Sequence, residues 1–248
     1  MLILLPPSET KRDGGADGSA LDIDALSFPA LKRQRRSAIA ALRKLASNRA
    51  TMAAALHLGP TQLFEVERNR DVRSSPTMPA LDRYTGVLFD ALDAESLPAG
   101  ARSFALEHVT IHSALFGLLA AADPIPAYRL SHDSRLPEVS LKRVWRDAIA
   151  AQLATRTDLV LDLRSEAYVE LGPSAGAPRS YFLRVVSEGP DGTRRALNHF
   201  NKKGKGEFVR ALALAATDHE DVESLLRWAA ESGIRLNLGA EGGLELVV

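Results

Sequence analysis

The stretch LKRVWRDAIAAQLATRTDLVLDL, residues 141–163, decides the fold class. Val144, Trp145, Ile149 and Leu153 recur at helical spacing and predict an amphipathic helix over Leu141–Ala154. Leu159–Leu163 is an apolar run too short for a helix and reads as a buried strand. A helix with one apolar face beside a buried strand needs a layered partner, which points to an α/β or mixed α+β class. Working outward, Leu2–Leu5 reads as another buried strand, ended by Pro6-Pro7, and Val109–Ile111 as a third. Tyr181–Val186 and Arg194–His199 flank the hairpin signal Gly189-Pro190-Asp191-Gly192. Ile234–Leu238 and Leu244–Val248 form a closing pair of short strands. Helices are expected from Pro29 onward, with Leu31, Ala38, Leu42 and Leu45 on one face and Arg35 intruding on it. Further helices are expected at 50–57, 62–68, Arg83–Leu92 and Ala114–Ala121. Gly204 and Gly206 precede one through Ala216, and Asp218 caps another ending near Gly233. The expectation is a single compact domain over residues 1–248, a mixed sheet surrounded by helices.

The 248 residues carry 31 Lys and Arg against 31 Asp and Glu, with 46% hydrophobic and 25% charged residues. That balance excludes intrinsic disorder, which needs low hydrophobicity and high net charge. There is no cysteine, so disulfides, thiol catalysis and thiolate-held metals are excluded. The N-terminus lacks a basic n-region, and no apolar run approaches the length that crosses a bilayer. The chain reads as cytoplasmic.

Neutrality hides a polarised distribution. No Asp or Glu occurs from Ala25 to Phe64, a stretch holding Lys32, Arg33, Arg35, Arg36, Arg43, Lys44 and Arg49. Arg194, Arg195, Lys202, Lys203, Lys205 and Arg210 face the single acid Glu207. The C-terminal region compensates with Asp218, Glu220, Asp221, Glu223, Glu231, Glu241 and Glu245. Such asymmetry suits either solvated helix faces or an anionic partner.

No phosphate loop, dinucleotide fingerprint or nucleophile elbow is present. His108 and His112 stand four apart without the order of a metal-binding helix, and no metal or cofactor is expected. The segment Asn198–Gly206, with Lys202, Lys203 and Lys205 among glycines, would let backbone approach an anion, and Gly206 would open a helix N-terminus. Arg83-Tyr84, Tyr128-Arg129 and Glu166 with Tyr168 are polar groups beside apolar elements. They read either as satisfied structural bonds or as the lining of a cleft. Residues 50–68 read as a helix, a tight turn at Leu58-Gly59-Pro60, and a second helix capped by Thr61.

Several motifs in order resemble the YaaA family of peroxide stress proteins. These are Leu4-Leu5-Pro6-Pro7-Ser8-Glu9, Arg83-Tyr84-Thr85-Gly86, Ile111–Leu119, Asp123-Pro124-Ile125-Pro126-Ala127-Tyr128-Arg129-Leu130, Leu163–Tyr168, and His199-Phe200-Asn201-Lys202-Lys203-Gly204-Lys205-Gly206. Arg164 replaces a small residue of the family pattern, and Ala120-Ala121-Ala122 stands before Asp123 where the family often has R-P-L. The resemblance implies a cytoplasmic protein of hydrogen peroxide defence, linked to limiting free iron and oxidative DNA damage. It also implies a helix-hairpin-helix-like element, matched here to residues 50–68 with Gly59 in the turn, and a positively charged cleft for double-stranded DNA. In that reading Lys202, Lys203, Lys205 and Arg210 contact phosphates and binding is sequence-independent. The alternative is an enzyme acting on a nucleotide, nucleobase or other small anion. Arg83, Arg129, Lys202 and Lys203 would then clamp it, with Glu166 or Tyr84 as acid or base.

Overall fold

The computed structural model describes residues 1–174, 176–188, 194–196, 200–239 and 242–248. In chain order the strands are β1 (Leu2–Leu5), β2 (Met78–Pro79), β3 (Val109–Ser113), β4 (Gly117–Ala120), β5 (Pro124–Ile125), β6 (Val160–Asp162), β7 (Ser180–Glu188), β8 (Arg194–Ala196), β9 (Leu236–Leu238) and β10 (Leu244–Val247). The helices are α1 (Lys32–Ala46), α2 (Arg49–Ala55), α3 (Phe64–Arg70), α4 (Ala80–Arg83), α5 (Val87–Leu92), α6 (Ala99–His108), α7 (Leu141–Ala154), α8 (Glu166–Glu170), α9 (Phe200–Ala215) and α10 (Val222–Glu231).

The main sheet runs β4-β3-β1-β6-β7-β10-β9, with β8 also paired to β7. Strands β3, β1, β6, β7 and β10 are parallel, and β4, β8 and β9 are antiparallel to their neighbours. Ile3 lies beside Val109 on one side and Leu161 on the other. All four residues of β1 are buried, as a central parallel strand covered on both faces requires. The mixed α/β architecture is therefore the one the 141–163 stretch implied. Among the described residues no helix is long and apolar enough to cross a membrane.

Five local readings are corrected. Ala114–Ala121 is a hairpin, not a helix. The Ser113 hydroxyl oxygen accepts the Leu115 and Phe116 amides at 3.1 and 3.0 Å, closing a tight turn into β4. Gly117 at φ +69 seats the turn against Trp145, whose ring a Cβ would meet at 2.6 Å. Arg83–Leu92 is two helices, broken at Tyr84–Gly86, where Gly86 has φ +97. Thr61 does not cap α3; residues 60–62 form a 3-10 turn instead. Asp221, rather than Asp218, caps α10 by accepting the Ser224 amide, and Asp218 meets the N-terminal amine. Helix α6 was not anticipated, because its apolar residues form only a weak stripe. The turn at Gly189–Gly192 lies outside the described residues.

Arg35 resolves its apparent misplacement on the apolar face of α1. It is fully buried and donates to the carbonyls of Phe116, Leu118, Ser27 and Leu26, which fastens α1 to the β3–β4 hairpin. Gly204 and Gly206 lie inside α9, not before it. A Cβ on Gly206 would come within 2.2 Å of the Leu88 carbonyl oxygen, so the glycine sets how closely α9 approaches α5. Gly206→Ala should therefore destabilise the protein by about 1–3 kcal/mol, although alanine favours a helix by about 1 kcal/mol. Urea denaturation checks this, and an unchanged or raised midpoint would refute the packing argument.

Candidate functional site

The parallel strands β1, β3 and β6 end side by side, and the loops after them carry the polar residues. Ligand sites in open α/β sheets form at this carboxyl edge. After β1, Pro6-Pro7 turns the chain out through exposed Glu9 and Thr10 before Lys11 is buried again. The Lys11 ammonium donates to the carbonyls of Ser8 and Glu9 at 3.0 and 3.1 Å. It rests 4.1 Å from the centre of the Tyr128 ring and 5.3 Å from that of Tyr84. Among the described residues it has no carboxylate in ion-pair contact. Burial takes its pKa from the ordinary 10.5 down to about 7. Glu65 and Glu9 oppose that fall, and Arg129 and Arg68 add to it.

Next to Lys11 three hydroxyls meet. Tyr84 and Tyr128 are 2.7 Å apart, oxygen to oxygen, and Ser113, at the end of β3, is 2.6 Å from Tyr128. Burial pushes both phenols up, Tyr128 to about 12, so both stay protonated. The Ser113 oxygen already accepts two amides, so its own proton goes to Tyr128. Three hydroxyl protons then serve two oxygen–oxygen contacts, and one phenolic proton of the tyrosine pair has no acceptor among the described residues.

After β6 the buried Arg164 grips Asp162 with two nitrogens at 2.8 and 2.6 Å. It also reaches the Gly172 carbonyl and His112 Nδ1, at 2.8 and 2.9 Å. His112 Nε2 is buried without a partner among the described residues, and burial, then Arg164, holds the ring neutral. Its ring meets Tyr168 edge to face.

The residues expected at a site separate into groups. Tyr84 and Tyr128 do come together. Arg129 lies beside them, paired to Glu9 at 2.5 Å. Arg83 is not available as a clamp: it is buried and donates to the carbonyls of Ile125, Arg12, Gly14 and Pro76. Lys205 is buried as well, 4% exposed, and donates to the Arg164 carbonyl. Burial lowers its pKa to about 8 against the pull of Asp162 and Glu166. Glu166 lines a cavity of about 510 Å³ with Asp162, Ser174, Phe182 and Arg184. Arg210 ties α9 to the carbonyls of Leu92 and Asp93. Gly206 is buried helix interior, so it offers no free amide at a helix start. Lys202 and Lys203 are exposed at the first turn of α9, Lys203 near Glu207 at 3.4 Å. His199 and Asn198 lie outside the described residues. At the other candidate element, the Gly59 amide donates to the Gln62 side chain at 3.1 Å, and Gly59 has φ −72, which needs no glycine. The pair α2–α3 is a helix–turn–helix in outline, but that amide is already taken. Among the described residues no group of three or more His, Asp or Glu could hold a metal ion.

Sequence reasoning missed Lys11, Ser113 and Arg164 as members of the site. Lys11 follows a motif that did stand out, Pro6-Pro7-Ser8-Glu9, and only the turn back beneath Tyr84 and Tyr128 reveals its burial.

The sheet, with its buried lysine–tyrosine–serine cluster at the carboxyl edge, defines a mixed α/β protein with a polar centre at the strand ends. The family model described as peroxide stress protein YaaA matches residues 1–234, and the chain belongs to that family. A UPF0246 protein of Corynebacterium glutamicum is 43% identical over 94% of both chains. One of Corynebacterium efficiens is 43% identical over the full length of both. One of Streptomyces coelicolor is 36% identical over 98% of this chain and 95% of its own.

Proposed function

We propose that this member of the peroxide stress family acts in the cytoplasm by binding double-stranded DNA without reading sequence, limiting oxidative damage associated with free iron. The observation that carries the reading is the pair Lys202 and Lys203, exposed on the first turn of the sixteen-residue helix α9. Lys202 has no ion pair among the described residues. A helix N-terminus with exposed ammonium groups favours phosphate. The exposed Arg33, Arg36, Arg43, Lys44 and Arg49 of α1 and α2 supply further positive charge, partly offset by Asp24 and Glu138. The alternative, an enzyme clamping a nucleotide or small anion, is weakened by the full engagement of Arg83 with backbone carbonyls.

Binding to a linear duplex should fall steeply with salt, each phosphate contact contributing about 0.9 to the logarithmic slope. Lys202→Ala/Lys203→Ala should lower that slope by about 2, measured by fluorescence anisotropy from low to physiological salt. A slope unchanged in the double variant would remove these lysines from the interface. Affinity insensitive to salt in the wild type would remove DNA binding itself.

A further inference from the structure

We infer that Lys11 is a carbonyl-reactive amine, one that condenses with an aldehyde at the carboxyl edge of β1 while the Tyr84–Tyr128 pair supplies a proton to the carbonyl oxygen. The inference goes beyond DNA binding and stands without it.

Geometry carries the argument. A charged lysine has three N–H groups, and among the described residues two of them meet oxygen acceptors, the Ser8 and Glu9 carbonyls. The third direction faces the Tyr128 ring. A neutral amine fits this cage with both N–H groups bonded and its lone pair left over. The tyrosine pair beside it holds the complementary surplus, a phenolic proton without an acceptor among the described residues. A nucleophilic lone pair and a spare acid therefore lie side by side in one buried cluster. The amine lies 6% exposed and is flanked in sequence by exposed Glu9, Thr10 and Arg12, so it sits one layer beneath the surface. The charged groups around it, Glu65, Glu9, Arg129 and Arg68, include both signs, and burial dominates them. With half its population neutral near pH 7, Lys11 has ~1000-fold more free amine than an ordinary surface lysine.

The step balances without an oxidant. The Nζ lone pair forms a bond to the aldehyde carbon, and the carbonyl π pair moves to oxygen. The spare phenolic proton goes to that oxygen, and the nitrogen returns a proton to the phenolate. The same phenol then protonates the new hydroxyl, which leaves as water, and the last N–H proton returns to the phenolate, giving an imine. Two sources offer this chemistry: a free small aldehyde, and the ring-opened sugar of an abasic position in DNA.

The test incubates the whole protein at pH 7.5 with cyanoborohydride and either glycolaldehyde or a duplex holding one abasic position, then maps the modified peptides. Lys11 should be labelled at least about tenfold faster than exposed Lys202 in one arm or both. Labelling with glycolaldehyde alone assigns a small aldehyde, and labelling with the duplex alone assigns DNA. Tyr128→Phe should slow Lys11 labelling several-fold while Lys202 labelling stays constant, and an unchanged rate would refute the role of the tyrosine pair. Lys11 labelled no faster than Lys202 in either arm overturns the inference. Near-ultraviolet circular dichroism of each variant confirms that the comparison is made on folded protein.

Discussion

Arg164→Met should cost the fold about 3–5 kcal/mol, because it strands a buried carboxylate. Asp162 and Arg164 are both fully inaccessible to solvent. The guanidinium also satisfies the Gly172 carbonyl and His112 Nδ1, so its removal leaves several polar atoms without partners. The Arg164 amide and the Ser174 hydroxyl still donate to Asp162, which keeps the loss below that of a bare buried charge. Replacing both partners should cost less than replacing one. Arg164→Met/Asp162→Leu is therefore expected to recover more than half of the single variant's loss. The result is read as denaturation midpoints in a double-mutant cycle. If Arg164→Met lost less than about 1 kcal/mol, the pair would be a solvent-screened contact, contrary to its burial.

Arg164 also shows where the sequence was legible and where it was not. Its departure from the family pattern was visible, but its role was not, since it depends on Asp162 two residues earlier and on His112 across the sheet. Strands β1, β6, β9 and β10 were readable because a short apolar run bounded by turn residues has few alternatives. Helices α1 and α7 were readable from their periodicity. The β4 hairpin was misread because Ala114–Ala121 is apolar at every position, and such a run carries no period to separate helix from strand. Gly117 was the only local clue. The charged residues divided in a way that sequence could not foresee. Arg83, Lys205 and Arg210 were all expected at a binding site, yet packing turns each toward backbone carbonyls. Lys202 and Lys203, their neighbours, remain in solvent because helical geometry places them on the outer face of α9 while Gly204, Lys205 and Gly206 face inward.

Lys11 should give the protein a stability that rises with pH across the neutral-to-alkaline range. The folded-state pKa is about 7, whereas the unfolded chain keeps the ordinary value of 10.5. Below pH 7 both states are protonated, and Lys11's contribution is flat and at its least favourable. Between these two values the unfolded state binds one more proton than the folded state, so stability climbs by about 1.4 kcal/mol per pH unit. Above 10.5 both forms are neutral and the gain is complete. Lys205, lowered to about 8, tilts the curve in the same direction, and the raised phenols of Tyr84 and Tyr128 tilt it the other way above about pH 10. Comparison with Lys11→Met cancels these contributions. The variant also loses the donors to Ser8 and Glu9, but that loss is the same at every pH and only offsets the curve. The wild type should therefore gain about 3 kcal/mol relative to Lys11→Met between pH 7 and pH 9.5, measured by urea denaturation at half-unit steps. Parallel curves would mean that Lys11 stays charged in the folded protein. An amine that stays charged has no lone pair to offer a carbonyl, so the same measurement bears on its chemistry as well as on its burial.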